Sequence, residues 1–283
     1  MMTDKLNQYL DQWSLTDPLP LAQTATSELY TVTYDGERAV LKLLTPMGMQ
    51  EEHIGALALR YWNGHGAVRL FQSNDEAQLL EYADGDDLVP MVKNVGDEQA
   101  TAVIADVLRE LHLTHPSLSE PMPDGIRTLR VWYRALFKQA EADLDAGVDS
   151  VYVRGARISE ALFADPVDTR VLHGDIHHEN IRYREGRGWL SFDPKGIVGE
   201  RTFDAANVFR NPLNSMDLIA NEARMLKLAN TLGAALEVEP SRVLAFTYTM
   251  CCLSASWFLE DGEAPGDDLI FAAIIEPHLG EWL

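Results

Sequence analysis

The chain has 283 residues, 46% of them apolar and 24% charged, and its 44 Asp+Glu outweigh 23 Lys+Arg to give a formal net charge of −21. This is a globular composition, long enough to bury a core without metal or disulfide staples, and it excludes extended disorder. Such acidity also argues against a general binder of nucleic acid or anionic membrane, since both need a basic footprint, while it suits a binder of cations.

Residues 1–10 are charged and short of apolar side chains, unlike a secretory signal. Residues 29–34 (LYTVTY) and 38–44 (RAVLKLL) flank Asp35-Gly36, a hairpin signal. Residues 48–62 predict a helix with Ile54, Leu57, Ala58 and Tyr61 on one stripe, stopped by Asn63, Gly64 and Gly66. Residues 67–71 and 76–82 read as two more strands joined by the polar turn Ser73-Asn74-Asp75.

From Leu88 the pattern turns helical: residues 97–112, with Val103, Ile104, Val107, Leu108 and Leu111 on the apolar face, then 127–146 and 159–164. Residues 180–184 and 189–192 form a short β pair, and helices return at 217–231 and 241–259. Residues 243–259 carry no formal charge but include Thr247, Thr249, Ser254 and Ser256. They fall short of the roughly 20 apolar residues of a membrane span and read as a core helix. The cysteines, Cys251 and Cys252, are sequence neighbours. Neighbours rarely bridge, so a reducing cytoplasm is expected. The whole predicts an α+β, bilobal chain: a β-rich lobe over residues 1–84 and a mainly helical lobe over 85–283, with Gly85 at the step between them.

The chemistry is densest at residues 171–180 (VLHGDIHHEN) and 189–196 (WLSFDPKG). Asp175, Asn180 and Asp193 are gathered around a turn and a short hairpin, and carboxylate and amide oxygens are hard ligands suited to Mg²⁺. The Asp175–Asn180 spacing in an irregular loop lets the carboxylate face a substrate hydroxyl while the amide faces a metal. Lys42, alone in an apolar strand, is a counter-charge for phosphates, and a buried lysine needs a partner that Glu51 or Glu52 can supply.

Strand lysine, helix glutamate, Asp-x₄-Asn and a later metal aspartate form the kinase pattern. The variant here, HGDxHxxN, resembles the aminoglycoside phosphotransferase family. Residues 62–70 (WNGHGAVRL), His177-His178, residues 192–196 (FDPKG) and 203–212 (FDAANVFRNP) resemble its streptomycin/hydroxyurea-type group. The resemblance implies a protein-kinase-like fold and transfer of the γ-phosphate of ATP to an acceptor hydroxyl. By position it implies that Asp175 orients the hydroxyl and takes its proton, and that Asn180 and Asp193 hold Mg²⁺. Lys42, paired with Glu52, would grip the α- and β-phosphates. The backbone of Glu81, Tyr82 and Ala83 would pair with adenine, and His173 and Asp204 would support the catalytic loop. No GxGxxG loop is present, so residues 24–28 (TATSE) must cover the phosphates instead. Glu179 has no assigned role: it could repel phosphate, attract a second metal or face solvent.

A zinc site at His173, His177 and His178 is disfavoured by Gly174 and by the absence of a cysteine cluster. The expected reaction is phosphorylation of a small, polar, cationic acceptor, an aminoglycoside such as streptomycin. Asp84, Asp86, Asp87, Asp217, Glu222, Glu260 and Asp261 are candidates to line its pocket. The alternatives are a metabolic kinase for a sugar, amino alcohol or hydroxyurea-like compound, and a nucleotide-binding pseudokinase.

Overall fold

A computed structural model describes residues 2–283, the side chains of Met2, Thr3 and Glu51 excepted. Helix α1 (Met2–Gln12) is followed by the meander β1 (Thr16–Gln23), β2 (Ser27–Tyr34) and β3 (Glu37–Leu44). Then come α2 (Pro46–Glu51), α3 (His53–Trp62), β4 (Leu70–Ser73) and β5 (Ala77–Glu81). The five strands form one antiparallel sheet in the order β1-β2-β3-β5-β4. Asp35 and Gly36 turn β2 into β3 with φ of 50° and 83°, a left-handed pair that matches the twist of a tight hairpin. Side chains alternate across β3, so Ala39, Leu41 and Leu43 pack with Tyr9 of α1 and Trp13 in the turn after it, while Val40 and Lys42 face the other way.

Sequence pattern alone does not show α1 or β1. Every residue of β1 is exposed, and Pro18 and Pro20 interrupt it, so an edge strand forms with no alternation to read. The helix predicted over 48–62 is two, because the chain breaks at Glu52 between α2 and α3. The strand predicted to start at Ala67 begins at Leu70. Ala67 instead bridges to Ser191 of the second lobe, where Ser191 N donates to Gly66 O and Val68 N to Ser191 O, both at 2.9 Å.

The second lobe begins with α4 (Val89–Asn94) and α5 (Asp97–Arg109), which widens into a π turn at Glu110–Thr114. It continues through β6 (Arg127–Thr128), α6 (Leu129–Trp132), α7 (Arg134–Asp145), α8 (Val151–Ala164), β7 (Thr169–Leu172), β8 (Ile181–Arg184), β9 (Gly188–Ser191) and β10 (Ile197–Glu200). A 3₁₀ segment, Arg201–Arg210, leads to α9 (Met216–Ile219), α10 (Glu222–Ala235), α11 (Pro240–Glu260) and α12 (Asp268–Ile275). The helix predicted over 127–146 is interrupted because Arg127 and Thr128 pair in parallel with Ile197 and Val198, giving a small sheet β6-β10-β7. Strands β8 and β9 form a separate hairpin. Helix α11 is long and apolar enough to cross a membrane, yet Phe246, Tyr248, Cys251, Cys252 and Leu253 are fully enclosed by the lobe's core. Burial pushes the Cys251 thiol up to about 12, so it is an inert apolar filler.

Candidate active site

The catalytic-loop segment after β7 is held from beneath by Asp204. One carboxylate oxygen accepts the N–H of Gly174 at 2.7 Å, and the other accepts the N–H of His173 at 2.8 Å and Nε2 of His112 at 2.9 Å. His112 comes from the π turn after α5, a role its sequence position did not suggest. His173 is enclosed, and burial lowers its pKa despite the nearby Asp204 and Asp175 carboxylates. Its neutral ring is oriented by its partners: Nε2 donates to Phe192 O at 2.9 Å, and Nδ1 accepts the Asp175 N–H at 3.3 Å. Trp62 of α3 stacks on this ring, with centroids 6.2 Å apart.

Above this support, Asp175 is oriented by two amides. Asn207 Nδ2 donates to Asp175 Oδ1 at 2.8 Å. Asn180 Nδ2 donates to the Asp175 carbonyl at 3.0 Å and to Oδ2 at 3.3 Å, which leaves Asn180 Oδ1 as that side chain's free acceptor. Asn207 Oδ1 in turn accepts from Arg210 at 2.7 Å, and Arg210 is held by Ser254 at 2.8 Å and by Asp268. Asn207 and Arg210 lie within the 203–212 motif, whose sequence alone assigns neither a function.

The small lobe contributes Lys42, whose ammonium is ion-paired with Glu52 and stands 2.5 Å from Asp193 Oδ1. Glu52 reaches it from the break between α2 and α3; the Glu51 side chain lies outside the described residues. Helix α3 seats directly on the 193–196 segment: a Cβ on Gly55 would fall 2.2 Å from Pro194 O. Asp193 itself adopts φ 60°, an uncommon left-handed conformation that costs of order 1 kcal/mol for a side-chain-bearing residue. Burial alone would raise its pKa, but the Lys42 and Lys195 ammoniums override that and hold it well below the usual carboxylate range. Lys195 Nζ stands 3.3 Å from Asp193 Oδ2 and 3.6 Å from Asp175 Oδ2. Burial would lower the Lys195 pKa, yet these carboxylates raise it above the ordinary lysine value.

Lys42, Glu52, Asp175 and Asp193 line one cleft of about 980 Å³ between the lobes, with Thr24, Thr26 and Ser27 along its upper edge. The Thr24–Ser27 turn is self-bracing, since Thr24 Oγ1 accepts the N–H groups of Thr26 and Ser27 at 3.2 and 3.0 Å. Leu80 lines the cleft, whereas Glu81, Tyr82 and Ala83 do not. The Glu81 carboxylate turns away to Arg187 at 2.6 Å and to the Arg69 N–H at 2.9 Å, and Arg184 donates to Tyr82 O at 3.2 Å.

The acceptor side departs from expectation. None of Asp84, Asp86, Asp87, Asp217, Glu222, Glu260 and Asp261 lines the cleft; its wall there holds Arg127, Trp132, Arg134 and Trp257. Nearness in sequence to the large lobe does not set direction. Asp87 caps the Val89 N–H at 2.9 Å, Glu222 meets His278 at 2.7 Å, and Glu260 pairs with Lys138 at 3.3 Å and Arg134 at 3.5 Å. Trp132 and Trp257 meet edge to face, with centroids 5.6 Å apart, and the Arg127 guanidinium lies over the Trp132 ring.

Glu179 is bound inside the loop. One oxygen accepts the Leu213 N–H at 3.1 Å and the other lies 2.8 Å from His177 Nδ1, and these bonds, with His177, lower its pKa despite burial. His177 Nδ1 also sits 3.3 Å from the Glu179 N–H; it cannot donate and accept at once, and the shorter carboxylate contact decides for donation. Both Glu179 oxygens are therefore engaged by the protein.

The donor set suits a hard divalent cation held partly by a nucleotide. Asp193 and the free Oδ1 of Asn180 are oxygen donors, and among the described residues no group of three or more His, Cys, Asp or Glu could hold a metal alone.

Residues 12–262 match the model of the aminoglycoside/hydroxyurea antibiotic resistance kinases. The chain is 33% identical to the streptomycin 3″-kinase of Klebsiella pneumoniae over 261 residues, covering 89% of this chain and 92% of that one. It is 32% identical to the streptomycin 6-kinase of Streptomyces griseus over 254 residues, covering 86% and 79%. Among solved structures, it is similar to a thermostable mutant of aminoglycoside phosphotransferase APH(4)-Ia in ternary complex with AMP-PNP and hygromycin B. The TM-score is 0.64 over 98% of this chain and 99% of that one, and at 16% identity this likeness shows the kinase-like fold alone. The chain belongs to the aminoglycoside/hydroxyurea antibiotic resistance kinase family, phosphotransferases with an alcohol group as acceptor.

Proposed function

We propose that the protein transfers the γ-phosphate of ATP to a hydroxyl of a small polar acceptor, with an aminoglycoside such as streptomycin as the first candidate. One observation carries this reading: the Lys42–Glu52 pair and Asp193 face Asp175 across a single cleft, so a phosphate-binding side meets a hydroxyl-binding side. Asp175 orients the attacking hydroxyl and accepts its proton. Lys42, steadied by Glu52, grips the α- and β-phosphates, while the Thr24–Ser27 turn offers hydroxyls and N–H groups over them. Glu81, the last residue of β5, with Tyr82 and Ala83 directly after it, is the proposed adenine contact. Asp193 and Asn180 would hold Mg²⁺, which when bound neutralises charge on the phosphate oxygens. The buried free thiols Cys251 and Cys252 suit a reducing compartment, and the cytoplasm is the proposed location.

A second reading, a kinase for a neutral sugar or hydroxyurea-like acceptor, is favoured by the acceptor wall of Arg127, Trp132, Arg134 and Trp257, which lacks the carboxylates a polycation would seek. A product-detected ATP-consumption screen of aminoglycosides, sugars and amino alcohols, with Asp175→Asn as blank, tests the proposal. Phosphorylated product from the wild type alone supports it; no product from any acceptor class counts against it. Where a substrate is found, a KM that rises with salt identifies an electrostatically held cation, and a flat KM identifies a neutral acceptor.

A further inference from the structure

Lys195 occupies the position between the two halves of the reaction. Its ammonium lies 3.6 Å from Asp175 Oδ2, on the acceptor side, and 3.3 Å from Asp193 Oδ2, on the nucleotide side. Its backbone is fixed, since Lys195 N donates to His173 O at 2.7 Å, and the neighbouring Gly196 lies against Ile54 of α3. The side chain lines the cleft and keeps 30% of its surface exposed, so the charge faces the ligand space and not the core. Lys42 cannot serve the same point, because Glu52 and Asp193 hold it at the nucleotide end.

We propose that Lys195 is a catalytic residue of the phosphoryl transfer, donating hydrogen bonds to the equatorial oxygens of the γ-phosphoryl group as it passes from nucleotide to acceptor. This rests on the reading of the cleft as a phosphotransferase site. In that step the bond between the β–γ bridging oxygen and the γ-phosphorus breaks, its electron pair staying on ADP. A bond from the acceptor oxygen to phosphorus forms, and the hydroxyl proton goes to Asp175 and then to solvent. Lys195 keeps its protons throughout. Negative charge spreads over the three equatorial oxygens in such a transfer, and a cation already in place stabilises it without reorganisation. The same ammonium stands between the Asp175 and Asp193 carboxylates and offsets their mutual repulsion.

A lysine that only separates two carboxylates would affect ground-state nucleotide binding as much as the transition state. The two roles part in calorimetric titration of Mg-ADP, alone and with aluminium fluoride as a mimic of the planar phosphoryl group. For Lys195→Met, Mg-ADP affinity should stay within about threefold of wild type, while the extra affinity conferred by aluminium fluoride falls by about 10²-fold, the usual effect of removing one preorganised charge donor. Lys195→Arg, which keeps the cation, should recover most of that loss. Where a substrate is known, Lys195→Met should lower kcat and leave the KM for ATP near its wild-type value. Retention of the aluminium fluoride effect by Lys195→Met, or equal weakening of Mg-ADP with and without it, overturns the role of Lys195 while leaving the phosphotransferase reading intact. A wild-type protein that binds no Mg-ADP overturns both.

Discussion

The side-chain amide of Asn207 donates to Asp175 Oδ1 at 2.8 Å, and Arg210 fixes which way that amide points by donating to its oxygen at 2.7 Å. The amide cannot flip without setting its NH₂ against a guanidinium. One oxygen of Asp175 is thereby committed to Asn207, while Oδ2 meets Asn180 Nδ2 at 3.3 Å and Lys195 Nζ at 3.6 Å.

If this orientation matters to turnover, Asn207→Ala should lower kcat by about tenfold or more, since misplacing a reacting group by a fraction of an ångström loses much of the gain from proximity. The KM for ATP should hardly change, because Asn207 touches none of the nucleotide-side residues. Asn207→Asp should be worse, as a second carboxylate would face Asp175. Steady-state kinetics of the two variants decide it; an Asn207→Asp enzyme as active as wild type would contradict the positioning role.

Asp204 takes three donors inside the core, from His173, Gly174 and His112. Asp204→Ala leaves all three without an acceptor. Each buried donor left without an acceptor costs about 1–3 kcal/mol, so a loss of several kcal/mol is expected here. Urea unfolding of the variant against wild type measures it. A loss below about 1 kcal/mol would mean that water or another group replaces the carboxylate.

Two buried histidines make the fold acid-sensitive. Burial lowers His115 and His178 from 6.5 to about 4, outweighing the Leu111 backbone contact at His115, while the His178 ring nitrogens find no hydrogen-bond partner. Between those values the unfolded chain binds protons that the folded chain refuses, so stability should fall as pH drops from about 6.5 to about 4. Each histidine contributes a slope of up to about 1.4 kcal/mol per pH unit. Replacing one ring with a non-titrating one, His115→Phe, should make the urea midpoint less steep in pH across that window; an unchanged slope would contradict the assignment.

The turn at Asp35-Gly36, the helix stop at Asn63 and the core helix α11 were legible because each rests on local chemistry: a left-handed turn pair, a left-handed cap, an uncharged apolar run. The exposed, proline-bearing β1 gave no such signal, and no glycine or proline at residues 50–54 marks the break at Glu52. Lys42, Asp175, Asn180 and Asp193 stood out because polar residues interrupt apolar strands or cluster in one loop. Lys195, Asn207, Arg210 and His112 were not assigned, since their meaning depends on which distant carboxylate or amide they meet. The acids expected around the acceptor failed for a similar reason: charge in sequence says nothing of direction, and the wall is built from Arg127, Arg134 and two tryptophans.

The central claim is that Asp175 acts on the hydroxyl while Asp193 serves the nucleotide. It is tested most directly by measuring Mg-ATP affinity and turnover together in Asp175→Asn and Asp193→Ala. Asp175→Asn should lose about 10²-fold or more in kcat, a typical size for loss of a general base, with Mg-ATP affinity nearly unchanged. Asp193→Ala should lose Mg-ATP binding itself. If Asp175→Asn instead turns over normally while its nucleotide binding collapses, the two roles are exchanged; if both variants bind and turn over ATP as wild type does, the cleft is not the site of phosphoryl transfer.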